Sequence, residues 1–181
     1  MPRRLACFLV ADAVGYSARV EANEASAIAA LSNTRSVVDE VIARNGGAIF
    51  ATAGDSVIAT FETSVSAVRS ALDIQKDLSA RDEEVFQLRI GVHFGDVSEE
   101  GGTLLGDGLN IAARLEPLAP VGGILISAAV SDQIVGKIDE NFSPLGKQKV
   151  KNISRSLDLF CWPADAARRH RRRRLARKWP Y

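Results

Sequence analysis

Ala48-Ile49-Phe50-Ala51-Thr52-Ala53-Gly54-Asp55-Ser56-Val57-Ile58-Ala59-Thr60-Phe61 reads as two short β runs, 48–52 and 57–61, joined by a turn that contains a glycine. That is the signature of a hairpin. Helical patterns lie on both sides of it. Upstream, Ile28, Leu31, Val38, Val41 and Ile42 recur at helical spacing between Asn23, a good N-cap, and the stop Gly46-Gly47. Downstream, Val65, Val68, Leu72 and Leu78 mark the buried side of a second amphipathic helix over 64–80. Beyond the helices lie Leu5 to Val10, an unbroken apolar run suited to a strand buried on both faces, and a further strand over 86–97. The order β-α-β-β-α-β predicts an α+β domain with a ferredoxin-like core sheet and its helices on one face. Extra C-terminal αβ elements follow. They are a turn at Glu99-Glu100-Gly101-Gly102, a helix from Asp107 to about Leu118, a strand over 124–127, a short helix over 128–135 and a closing strand pair.

Hydrophobic residues make up 46% and charged residues 25% of the 181, the balance of a soluble globular domain with a proper core. A formal net charge of +1 gives the molecule no overall bias towards nucleic acid. Cys7 and Cys161 sit inside apolar runs and read as buried free thiols, since a disulfide scaffold or metal site needs more cysteines or partnered spacing. No apolar run approaches the roughly 20 residues of a membrane span. Met1-Pro2-Arg3-Arg4 has the basic start of a signal peptide, but the apolar stretch behind it runs straight into Asp12 without a cleavage site. A strand and a cytoplasmic location are expected instead. Residues 1–162 are expected to form one domain and 163–181 a basic tail, with Arg168, Arg169, His170, Arg171 to Arg174, Arg177 and Lys178 lacking any apolar face. A solvated tail or linker is the plain reading; a lipid-facing segment of a longer, membrane-tethered parent is the sharper one.

Asp12 and Asp55 each end a β run in a glycine-containing turn. Turn-forming aspartates are common. Two such loops at one sheet edge can also present a pair of carboxylates to Mg²⁺, with phosphate oxygens completing its coordination. Val14-Gly15-Tyr16-Ser17 follows Asp12 directly, and successive backbone N–H groups there can form an anion-binding nest. Asn110 and Arg114, four apart, project from one helix face. An amide for a ribose oxygen and a guanidinium for phosphoryl charge make a useful pair. The plain alternative pairs Arg114 with a nearby acid.

Taken in order, these pieces resemble the class III adenylyl/guanylyl cyclase family, in its bacterial branch. The matching strings are ADAVGYS (11–17), TAGDS (52–56), RIGVHFGDV (89–97), GDGLNIAARLE (106–116), VGGILIS (121–127) and LGKQKVKN (145–152). The resemblance implies a catalytic domain that converts ATP to 3′,5′-cyclic AMP and pyrophosphate as a head-to-tail homodimer. It implies two Mg²⁺ or Mn²⁺ ions per site, held by Asp12, Asp55 and the Ala13 carbonyl. It assigns ribose binding to Asn110, transition-state charge to Arg114, and phosphate binding to the Val14–Ser17 turn and Lys151, with Lys149 close by. Two positions depart from the family. Many members carry a base-reading Lys where this chain has Ala51, and an Asp where it has Thr103. The implied alternatives are relaxed choice between ATP and GTP, or a degenerate module that binds nucleotide or dimerises without turnover. A dedicated guanylyl cyclase fits less well, because the expected base-reading glutamate is absent. An RNA-binding ferredoxin-like domain lacks its stacking aromatics.

Overall fold

The computed structural model describes residues 3–101 and 103–166. The core runs β1 (Arg4–Ala13), α1 (Tyr16–Ala22), α2 (Glu24–Arg44), β2 (Ala48–Ala53), β3 (Ser56–Phe61), α3 (Ser64–Ser79) and β4 (Leu88–Glu100). After it come β5 (Thr103–Leu105), α4 (Asp107–Leu115) with a 3₁₀ turn (Glu116–Leu118), β6 (Gly123–Ser127), α5 (Ala128–Ile134), β7 (Ser143–Gln148) and β8 (Leu157–Trp162). The sheet order is β2-β3-β1-β4-β6-β8-β7, with β5 folded back on the end of β4. Neighbours are antiparallel except β4 and β6, which the α4 crossover makes parallel. The basic stretch 167–181 lies outside the described residues.

Local chemistry accounts for the elements. Asn23 Oδ1 accepts the Ser26 amide at 3.0 Å to start α2, and Thr63 Oγ1 accepts the Ser66 amide at 3.1 Å to start α3. Ala53 pairs with Ser56, so Gly54 and Asp55 form a two-residue turn, and Gly54 at φ 59° supplies its left-handed position. Strand parity then sorts the side chains. Cys7, Leu9, Ala11 and Ala13 of β1 join the large core under α2 and α3, with Ile90 and Val92 of β4. Ala6, Phe8 and Val10 face the other way, into a smaller cluster with Val97 and Ala112. Both faces of β1 are thus covered, which is why its apolar run is continuous. Cys7 and Cys161 are buried free thiols, as expected.

The two core helices lie on one face, and α4 is added on the other. It lies close. A Cβ on Gly91 of β4 would sit 2.6 Å from Ala112 O and 2.6 Å from Glu116 N, both backbone atoms that cannot swing aside. The seat of α4 therefore depends on Gly91 having no side chain. We predict that Gly91→Ala destabilises the domain by about 1–3 kcal/mol through overpacking, read as a lower urea midpoint with an unchanged m-value. An unchanged midpoint would show that α4 lifts off β4 freely.

Candidate active site

Asp12 is the penultimate residue of β1, and by parity it shares the α4-side face with Phe8 and Val10. β3 runs beside β1, and Ala11 pairs with Val57, which brings Ser56 level with Asp12. The Ser56 hydroxyl donates to Asp12 Oδ1. Asp55 sits one residue further round the hairpin turn. Burial raises its carboxyl above the ordinary range; its own backbone amide opposes this, and the nearby Asp12 charge adds to it. Two carboxylates are therefore held side by side, half-buried and repelling one another. Ala13 follows Asp12 with its methyl in the helix-side core, so only its backbone is free to serve the site.

The turn behind Asp12 is more constrained than its sequence suggests. Val14 N–H donates to Gln87 O at 2.9 Å, so Val14 contributes no amide to an anion nest. Gly15, at φ 77°, caps α1 without any side-chain hydrogen bond, leaving the amides of Gly15, Tyr16 and Ser17 at the helix start. Tyr16 packs edge-on against Phe86 at 5.7 Å between ring centroids, and Arg19 lies 5.1 Å over the same ring. Arg19 also pairs with Glu84. These contacts fasten the seven-residue α1 to the body of the domain.

Asn110 and Arg114 are brought together one turn apart, on the exposed side of α4. Gly108, Ile111, Ala112 and Leu115 form the buried side of α4, and Asn110 and Arg114 are exposed. Arg114 is exposed and has no acidic partner among the described residues. Lys149 and Lys151 are exposed in the segment between β7 and β8. The sheet order puts β7 four strands from β1, which at about 4.8 Å per strand is roughly 19 Å. Ala51 lies in β2 opposite Ile58. Thr103 opens β5, pairing with Glu100, and its side chain lies outside the described residues.

Two charged groups near the aspartates escaped the sequence reading. Arg89 is the register partner of Asp12 across β1 and β4. Glu116, at the C-terminal end of α4, is 9% exposed. Burial pushes its carboxyl up to about 7; Asp12 and Asp55 push the same way, and Arg89 pulls back. The parity of Arg89 with the glycines of RIGVHFG was a usable signal. Glu116 had none, because its inward aim follows from the seat of α4. At the other end of α4 a cavity of about 370 Å³ is lined by His93, Asp96, Asp107, Ile111 and Arg155, among others. Burial, and then the Arg155 charge, lower the His93 pKa to about 4, and its Nδ1 lies 2.7 Å from Ser127 Oγ.

Asp12, Asp55 and the Ala13 carbonyl are oxygen donors only, and no group of three or more His, Cys, Asp or Glu side chains among the described residues could hold a metal ion. Such a set suits a hard cation that keeps open positions for water or phosphate, as Mg²⁺ and Mn²⁺ do.

No family model matches the chain. It is 38% identical to a Silicibacter pomeroyi protein solved as an adenylate/guanylate cyclase/hydrolase, with a TM-score of 0.81 over 89% of this chain and 97% of that one. A Rhizobium meliloti protein that bears the name of an adenylate cyclase is 38% identical over 173 residues, 92% of this chain and 30% of its own. The adenylate cyclase of Streptomyces coelicolor is 31% identical over 136 residues, 74% of this chain and 35% of its own. The chain thus spans about a third of the length of these two curated relatives. On the match that covers nearly the whole of a solved cyclase, the chain belongs to the class III adenylyl/guanylyl cyclase family.

Proposed function

We propose that this chain is an adenylate cyclase catalytic domain, converting ATP to 3′,5′-cyclic AMP and pyrophosphate at two composite sites of a head-to-tail homodimer. One observation carries the reading. The aspartate pair is half-buried at the ends of β1 and the β2–β3 turn, while Asn110 and Arg114 stand unpaired on the exposed side of α4. A single chain holds both halves of a phosphoryl-transfer site and cannot close them on each other. An isologous dimer can join each half to its complement.

In that arrangement Asp12, Asp55 and the Ala13 carbonyl of one chain hold the cations. Bound there, Mg²⁺ or Mn²⁺ would offset the triphosphate charge and make the ribose 3′-hydroxyl more acidic. The amides of Gly15 to Ser17, with Arg89 beside Asp12, take the terminal phosphates. From the other chain, Asn110 orients the ribose for in-line attack, Arg114 stabilises charge growing on the α-phosphate oxygens, and Lys151 adds a phosphate contact. The 3′-oxygen bonds to the α-phosphorus, the bond to the pyrophosphate oxygen breaks, and the hydroxyl proton passes to water. Thr103 and Ala51 border the base, and Ala51 offers it no polar atom. That absence also favours a second reading, nucleotide binding or dimerisation without turnover, which an assay for cyclic product decides. ATP as substrate fits a cytoplasmic domain. No helix among the described residues is long and apolar enough to cross a membrane. We read the basic tail as a linker or a contact to a membrane surface.

Asp12→Asn should abolish cyclic AMP formation while circular dichroism stays that of the wild type, since a neutral amide is a poor ligand for a hard cation. Retained activity would refute the metal assignment. Ala51→Lys should raise the ATP-over-GTP ratio of kcat/KM by roughly two- to tenfold, the worth of one added hydrogen bond. A wild type that already rejects GTP by several orders of magnitude would show that another residue reads the base. Asp12→Ala and Arg114→Ala should each be inactive alone, because every site in either homodimer lacks an essential group. Mixed, they should regain activity, through the one intact site of the heterodimer. Silence in a mixture shown to exchange subunits would overturn the composite site.

A further inference from the structure

We propose that Glu116 is a positioning residue for the cations: its buried carboxylate acts through space on the Asp12–Asp55 pair and sets how tightly divalent ions are held there. This rests on the reading above and adds a residue to it. Glu116 is 9% exposed, and among the described residues its side chain has neither a hydrogen bond nor an ion pair. It closes α4, where the helix dipole disfavours a carboxylate. The charged groups that act on it electrostatically are Asp12 on β1, Asp55 on the β2–β3 turn and Arg89 on β4. Three carboxylates and one guanidinium leave a net charge of −2 when all are ionised. Burial and the two like charges disfavour the ionised carboxyl, and Arg89 opposes them. A divalent cation between Asp12 and Asp55 reverses the balance and turns the same carboxylate into an attractive group.

The seat of α4 delivers it. Gly91, two residues beyond Arg89 on the same face of β4, admits the Glu116 backbone so closely that a Cβ there would lie 2.6 Å from the Glu116 nitrogen. Glu116 thereby lies over the strand that carries Arg89, itself paired in register with Asp12. It acts behind the ligands without being one of them.

The experiment is a titration of the purified chain with Mn²⁺ alone, free Mn²⁺ being read by electron paramagnetic resonance. All four groups belong to one chain, so the measurement needs neither nucleotide nor turnover. Glu116→Gln should weaken Mn²⁺ binding by about tenfold, the scale seen when groups behind metal ligands are removed. Glu116→Asp, which keeps the charge, should recover most of that loss. The metal-free melting temperature of Glu116→Gln should equal or exceed that of the wild type, whereas a structural role for Glu116 requires it to fall. Should the single Gln variant fail to fold, Arg89→Gln with and without Glu116→Gln gives the same comparison, and adding Glu116→Gln should weaken Mn²⁺ binding. Unchanged Mn²⁺ affinity in Glu116→Gln, with binding lost in Asp12→Asn, would overturn this inference and leave the proposed function standing. Failure of the wild type to bind Mn²⁺ saturably would overturn both.

Discussion

Backbone lies on backbone where α4 meets β4, and the placement of the chemistry depends on that contact. A helix can approach a strand so closely only where the strand offers no Cβ, and Gly91 meets that condition under Ala112 and Glu116. Once α4 is seated there its rotation is fixed. Gly108, Ile111, Ala112 and Leu115 must face the sheet, so Asn110 and Arg114 must face solvent. The same rotation brings Glu116 down over Gly91 of β4, where Asp12, Asp55 and Arg89 act on its carboxyl. One packing decision on a single helix thus divides the polar residues into an inward group and an outward group.

The sheet supplies the other half of the geometry. β1 and β3 end side by side, and the short turn at Gly54-Asp55 carries its carboxylate only as far as Asp12. No flexible loop intervenes, and Ser56 holds Asp12 from the neighbouring strand. Two like charges are kept together by backbone hydrogen bonds that have nothing to do with charge. Such a pair gains from a cation without first rearranging, the condition under which ligands bind a hard ion at least cost.

Periodicity and caps carried the sequence reading as far as local physics reaches. Asn23, the hairpin turn and the continuous run of β1 each signal through a few neighbouring residues, and the structure places each as expected. Failures came where the deciding partner is distant in the chain. The short α1 buries no residue of its own and takes its anchorage from Glu84 and Phe86. Val14 contributes no amide to an anion nest because Gln87, distant in the chain, accepts its N–H. Arg89 lies within the RIGVHFGDV string, but its importance rests on the cross-strand register with Asp12. Glu116 followed Arg114 by two residues, and those two residues on a helix are what turn one side chain outward and the other in.

That last contrast bears on why such a domain should work as a pair. On the proposed reading, an inward cation site paired with an outward ribose and phosphate site cannot be satisfied within one chain, because α4 is too firmly seated to roll. Releasing it would expose Ala112 and Leu115 and uncover Phe8. Docking a second chain against the outer side of α4 costs none of that packing, and it brings Arg114 to a triphosphate that its own chain cannot reach. The rigidity that makes one chain incomplete is then also what holds the groups of two chains in register. On that reading activity is conditional on assembly, because a helix with two chemical faces cannot turn both of them to the same site.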